Sequence, residues 1–265
     1  FCKDDSFGYL VTDGAPIESA IHTTTANQTG TIIIKIKENP LDDSVSLNNS
    51  IYWTGEGDGS NWSDEKNWCP ERVPTEMDSV FLSKPGLQYN VNLDMAFSIV
   101  TGGLTINPGN TLKIDSTKIL TNSKTITNNG FIDILGTLEI TGTGNLINND
   151  TIENSGTLSN SNKLINSGTI SNAGKFETWR TFENNGIFEN KWDFESSGDV
   201  INSDQISNSH IMKVKDTLKN LSDATIINSK IIELNSVKID NSGIIDNQDD
   251  LKLWSGEINN SKIIK

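Results

Sequence analysis

Large apolar residues recur at every sixth position through the middle of the chain: Leu146, Ile152, Leu158, Leu164, Ile170, Phe176, Phe182, Phe188, Phe194, Val200, Ile206, Met212 and Leu218. A helix repeats every ~3.6 residues and a strand every ~2, so six is the period of neither. It is the length of a short strand plus its corner. With 34% of the chain hydrophobic, thirteen successive matches arise by chance on the order of once in a million windows. Upstream, Ile114, Leu120, Ile126, Ile132 and Leu138 keep the beat, offset by a two-residue slip. Downstream, Ile226, Ile232, Ile239, Ile245, Leu251, Ile258 and Ile264 continue it with small slips.

Two places after the apolar residue stands asparagine, at Asn148, Asn154, Asn160, Asn166, Asn172, Asn184, Asn190, Asn202 and Asn208. Residues i and i+2 of a strand share a face, so this side chain is expected inward, bonding the corner and stacking into amide ladders. Two places further on, glycine recurs at Gly156, Gly168, Gly174, Gly186 and Gly198, where a sharp corner is expected to demand positive φ. Such hexads stack as a parallel β-solenoid, each coil completing the hydrogen bonds of the last at about 4.8 Å per coil. Three sides give about 18 residues per coil, about nine coils over residues 104–265, and a rod roughly 43 Å long. Phe176, Phe182 and Phe188 then form one aromatic layer and Phe194 begins the next. A compact β-sandwich is the rival, but its strands do not hold a register of six for so long.

All six prolines lie at or before Pro108, and their absence beyond it suits long hydrogen-bonded ladders. Residues 1–50 therefore read as an N-terminal tail, 51–103 as a β-rich, Trp-rich capping module, and 104–265 as the repeat array. In the module, Trp53, Gly55, Asn61–Trp62, Asn67–Trp68, Pro74, Asp78 and Val80 are followed by a run into "GGLTINPGNTLKI". This pattern resembles the W-x-G…NW…NW…P…D-x-V segment that precedes β-solenoids in many prokaryotic secreted and cell-surface proteins. The resemblance implies a cap and first coils for the solenoid. It says little of function, since those proteins include adhesins, structural proteins and enzymes. Trp53, Trp62 and Trp68 are expected to cover the open end of the core.

Charge narrows the partners. A net charge of −14 argues against nucleic acid and anionic membrane, and no apolar run is long enough for membrane insertion. The chain begins at Phe1 with no initiator methionine, as a processed exported protein does, so an extracellular or cell-surface location is expected. A Cys2–Cys69 disulfide would fit that setting, with two free thiols as the alternative. Candidate glycosylation sequons stand at Asn27, Asn48, Asn61, Asn149, Asn220 and Asn259.

Catalytic chemistry is not legible. His22 lies in the tail, while His210 and Arg180 occupy the corner position of the repeat. No base, orienter and oxyanion donor can be brought together by spacing, so no catalytic residue is assigned and no enzyme is expected. A polysaccharide lyase, with Arg180 as base, is the least favoured reading. No cofactor is called for. Ca²⁺ is the one ion with oxygen ligands on offer, in Gly55–Glu65 and Asp240–Asp250, against the simpler reading of solvated acidic corners.

Two features point to contacts. Trp179 and Trp192 interrupt columns of small residues and are expected to face outward, either filling a groove or touching a neighbouring subunit or a surface glycan. In the tail, the segment 29–38 contains a strand with one wholly apolar face, Thr31, Ile32, Ile33, Ile34, Lys35, Ile36 and Lys37. A spare apolar strand and an uncapped last coil together lead to an expectation of head-to-tail homopolymerisation by β-strand addition. The expected function is the structural subunit of an extracellular filament or layer, with a surface adhesin or carbohydrate-binding β-helix as the alternative.

Overall fold

The computed structural model describes residues 50–82 and 88–265. They form a parallel β-solenoid with a triangular cross-section, and no α-helix occurs among them. The first face carries ten strands, from Asn90–Leu93 to Ile263–Ile264, which span nine turns. The second face runs from Phe97–Ile99 through Lys175–Thr178 to Ile211–Val214, and the third from Ser79–Leu82 through Phe182–Asn184 to Thr217–Asn220. Each strand pairs in parallel with the strand one coil away, most often 18 residues on, as in Leu146 with Leu164 and Phe176 with Phe194.

Most strands of the array alternate a buried with a more exposed residue, and the buried positions are the hexad apolar residue and the residue two places later. Phe176, Phe182, Phe188 and Phe194 pack with ring centroids 4.9–5.8 Å apart, most pairs edge-to-face.

The buried asparagines form two ladders. At the end of the third face, Asn128, Asn148, Asn166, Asn184, Asn202, Asn220, Asn241 and Asn260 are linked by Nδ2-to-Oδ1 bonds of 2.7–2.9 Å. At the end of the first face, Asn154, Asn172, Asn190, Asn208, Asn228 and Asn247 are linked by bonds of 2.6–2.9 Å. Every rung-to-rung bond in both ladders is donated toward the C-terminal coil. Many of the same amides also donate to a backbone carbonyl of the next coil, as Asn184 does to Gln205 at 2.8 Å. The second face has no such ladder. Asn122, Ile140, Asn160, Thr178, Ser196 and Val214 succeed one another there, and the cross-coil link is a single Thr178–Ser196 hydroxyl contact of 2.9 Å.

The corner glycines have a different origin from the one expected. Gly156, Gly168, Gly174, Gly186 and Gly198 are not among the positive-φ residues. A Cβ at these positions would run into backbone of the coil below: at Gly168 into the Asp150 carbonyl, at Gly198 into that of Arg180. Close approach between coils, not a left-handed backbone, excludes a side chain there. Positive φ appears instead where the beat lengthens to eight residues, at Gly109, Thr117, Gly142 and Asp223. One such slip also corrects the register at the start of the array. Leu112, not Ile114, shares the apolar column with Ile132, and Ile114 shares the next column with Ile134 and, a coil later, Asn154. Where the beat is seven, from Ile232 to Ile239, one strand, Ile231–Asn241, runs through the corner with two register shifts against Asp250–Asn260.

The N-terminal end is closed by aromatic rings. Ser50–Trp53 pairs in parallel with Ser79–Leu82, and Trp68–Cys69 lies antiparallel on its other side. Trp53 and Trp62 each pack against Trp68 at 4.8 and 4.7 Å, and Trp62 meets Phe97 at 5.1 Å. All three tryptophans are buried, as expected of a cap.

The ladders set a stability test. Asn184→Ala removes a rung with partners in the coils on both sides, whereas Asn160→Ala removes one bond, to the Asn162 carbonyl, from an amide whose Oδ1 has no partner. The expected cost is ~2–4 kcal/mol for Asn184→Ala and ~1 kcal/mol for Asn160→Ala, because only the first strands several buried groups. Urea unfolding followed by far-UV circular dichroism measures the difference; equal midpoints would show that the ladder adds nothing beyond the sheet.

Candidate interaction surfaces

Each candidate side chain takes its direction from the strand alternation. On the second face Phe176 and Thr178 point inward, so Lys175, Glu177 and Trp179 project outward. On the next coil Phe194 and Ser196 are inward and Asp193, Glu195 and Ser197 outward. Trp192 sits at the corner leading into this face. Trp179 is 56% exposed and Trp192 51%, both facing outward as expected.

The two tryptophans stand between small residues. In the 18-residue register Trp179 lies over Ser161 and beneath Ser197, and Trp192 lies over Gly174. The register places His210 above Trp192, and their rings stack at 4.5 Å with planes 9° apart. Asp193 Oδ1 lies 3.1 Å from His210 Nδ1. The only sign of this stack in the chain is the spacing of 18 between Trp192 and His210, which coincides with one coil. Glu177 and Glu195 are register partners on adjacent strands; Lys175 pairs with Glu177 at 2.9 Å and Lys215 with Glu195.

A second surface is the last rung. Among the described residues, Asp250–Asn260 and Ile263–Ile264 pair only with the coil beneath them. Leu253, Trp254, Ile258 and Ile263 are exposed there, Trp254 at 70%. The Asn247 amide turns to its own corner, onto the Asp249 carbonyl at 2.6 Å. Trp254 escaped the hexad pattern because it falls inside a seven-residue interval.

The remaining candidates separate clearly. The strand Thr31–Lys37, Cys2, Asn27 and Asn48 lie outside the described residues. Cys69 is buried in the strand beside Tyr52 and Trp53. Asn149 and Asn259 are exposed, and Asn61 is half-buried with its amide on Asp58 at 2.6 Å. Asn220 is a correction to the sequon reading: it is 0% exposed, and its amide is a rung of the third-face ladder. A glycan there would have to occupy the core.

The acidic stretches are occupied by protein groups. Asp58 accepts from the backbone N–H of Asn61 and Ser60 at 2.9 Å and from the side chain of Asn67, and these bonds hold its carboxyl well below the usual carboxylate range. Asp64 accepts from the N–H of Asp58 and of Lys66. In the other stretch, Asp240 pairs with Lys238, Asp246 with Lys265 and Asp250 with Lys252. Among the described residues no three His, Cys, Asp or Glu side chains are grouped to hold a metal ion. Arg180 is exposed at the corner beside Trp179.

One ion pair on a buried carboxylate was not foreseen from the sequence. Arg72 grips Asp78 through two bonds of 2.6 and 2.7 Å, while the Thr75 N–H and hydroxyl complete the Asp78 shell. Burial pushes the Asp78 carboxyl up, but the Arg72 and Thr75 bonds outweigh it and the net shift is downward. The pair ties the 70–75 loop to the first third-face strand of the cap.

Residues 52–179, from the first strand of the cap to Trp179, match a family model described as a domain of unknown function (DUF8693). No curated protein and no solved structure matches the chain.

The Arg72–Asp78 pair predicts an acid-sensitive cap. Asp78 titrates below its unfolded value of about 3.9, so its contribution is complete above about pH 4 and is lost as pH falls further. Asp78→Asn is expected to cost about 2–4 kcal/mol at pH 7, since it leaves Arg72 half-satisfied. Its stability should also vary less between about pH 5 and 2.5 than that of the parent chain. Parallel urea titrations across that range, read by tryptophan fluorescence, check both; identical acid limbs would rule the pair out as their cause.

Proposed function

We propose that this chain is a structural rod of an extracellular or cell-surface layer, extended head-to-tail by β-strand addition. The observation that carries the reading is the parallel ladder, in which each coil completes the backbone bonds of the one before it. Among the described residues the last rung, Asp250–Asn260, is an edge strand bonded to the coil beneath, with Leu253 and Ile258 of the inward columns exposed. An edge of this kind is a template for another strand. At the opposite end Trp53, Trp62 and Trp68 are buried and Trp68–Cys69 lies antiparallel along Ser50–Trp53. The alternating apolar sequence Thr31–Lys37 is the candidate donor strand. Repetition of one heterologous contact that does not close into a ring gives an open filament.

Resemblance of the cap sequence to the segment found before solenoids of secreted and surface proteins supports the location. The fold supports a mechanical role: the inward positions are filled by apolar side chains or by asparagines bonded along the axis. On this reading the chain is not an enzyme, and its partners are copies of itself.

Electron microscopy of the intact chain, a deletion of residues 29–38 and a Leu253→Lys/Ile258→Lys variant tests the proposal. Filaments are expected from the intact chain and dispersed rods from both variants. Dispersed rods in all three samples overturn polymerisation, and filaments from the deletion overturn the assignment of the strand.

A further inference from the structure

We infer that the second face around Trp179 and Trp192 is a binding platform for a neutral oligosaccharide. The inference is independent of polymerisation and concerns the side of the rod rather than its end. Three observations meet there. First, both indoles are open. His210 covers one face of Trp192, and the residue beneath in register is Gly174, which has no side chain to cover the other. The 51% exposure of Trp192 therefore belongs to the face and edge turned away from His210. Trp179 has the small side chains of Ser161 and Ser197 below and above it in register, with Arg180 beside it at the corner.

Second, the Trp192 ring is held before any ligand arrives. It is stacked on His210, and Asp193 engages the His210 ring at Nδ1. A fixed aromatic plane loses little entropy on binding. An exposed tryptophan that filled a groove would show the opposite signs: contact on both ring faces and little residual exposure.

Third, acceptors lie between the two rings. Glu177 and Glu195 are register partners on neighbouring strands, and Asp193 is one alternation away from Glu195 on the same outward row. Carboxylates accept several hydrogen bonds and donate none when ionised. Lys175 and Lys215 take one position each on Glu177 and Glu195, and the remaining acceptor positions suit a ligand with donors on its rim and an apolar surface on its flat side. A pyranose has both, with C–H groups across one face and hydroxyls around the edge. From Lys175 to Trp179 the platform is about 13 Å wide, enough for a short oligosaccharide rather than a single ring. Charge selects within the class: Glu177 and Glu195 are each paired with a lysine, so it is the −14 on the whole chain that repels an acidic polysaccharide.

Titration of the full chain with cellohexaose, laminarihexaose and mannohexaose, followed by tryptophan fluorescence and calorimetry, tests this. At least one should bind. Trp192→Ala and Glu177→Gln/Glu195→Gln should each weaken it tenfold or more, with far-UV circular dichroism unchanged, while Trp254→Ala on the last rung leaves it unaltered. The inference is overturned if none of the three binds, if Trp254→Ala weakens binding as much as Trp192→Ala, or if hexagalacturonate binds more tightly than the neutral sugars. It is also overturned if sedimentation velocity shows lateral self-association that Trp192→Ala abolishes, because the rings would then serve contact between copies.

Discussion

The registered hydrogen bond from one coil to the next is the constraint on which the rest of the structure depends. A six-residue side is too short to be stable alone, since its backbone groups find partners only above and below. Everything else must preserve the spacing between coils. Corner glycines are bare because the carbonyl of the preceding coil lies where a Cβ would go. The asparagines occupy inward positions because a side-chain amide repeats at the same interval as the backbone and bonds its copies in the same direction. An amide has both a donor and an acceptor, so one residue type continues itself indefinitely; serine, threonine or valine in its place gives the interrupted column of the second face.

That shared direction has an energetic consequence. Every rung-to-rung bond is donated toward the C-terminal coil, so the bonds polarise one another along the rod. Buried polar groups are favourable only when satisfied, and the two ladders differ at their starts: Asn128 Oδ1 accepts from the Gly130 N–H at 3.2 Å. Asn154, first in its ladder above Ile134, has a buried Oδ1 without a partner, as do Asn122 and Asn160 on the face that lacks a ladder. The first face thus uses Leu93, Ile114 and Ile134 in its early coils and changes to asparagine only from Asn154. The apolar start lies nearest the tryptophan cap, where the core is dry and no amide from below is present to bond.

Much of this architecture was legible in the chain because the period is a property of geometry rather than of any one side chain. Thirteen apolar residues in step, followed by Asn at a distance of two, specify strands, a corner and an inward polar column. The burial of Trp53, Trp62 and Trp68 followed from their place before the array. What escaped lies where residues far apart in sequence meet by chance of register. Trp192 and His210 look unrelated until the coil length is known, and the Arg72–Asp78 pair depends on a loop with no repeat to place it. The origin of the corner glycines escaped for another reason: sequence shows that a side chain is excluded, but not whether conformation or a neighbouring coil excludes it.

The same logic explains where this rod can vary. Inward columns are fixed by the ladders and the apolar core, and corners by the approach of the coil beneath. The outward residues of each strand meet none of these demands, so they can change one at a time without altering the register. A solenoid built in this way is a neutral frame, and any recognition it performs must be written in short patches on its faces or at its ends. Trp179 stands between Ser161 and Ser197, Trp192 stands over Gly174 with His210 above it, and nothing in the frame requires these three rings. Large aromatic groups at permissive positions, oriented by contacts of their own, are therefore the residues of this chain whose presence the fold itself leaves unexplained.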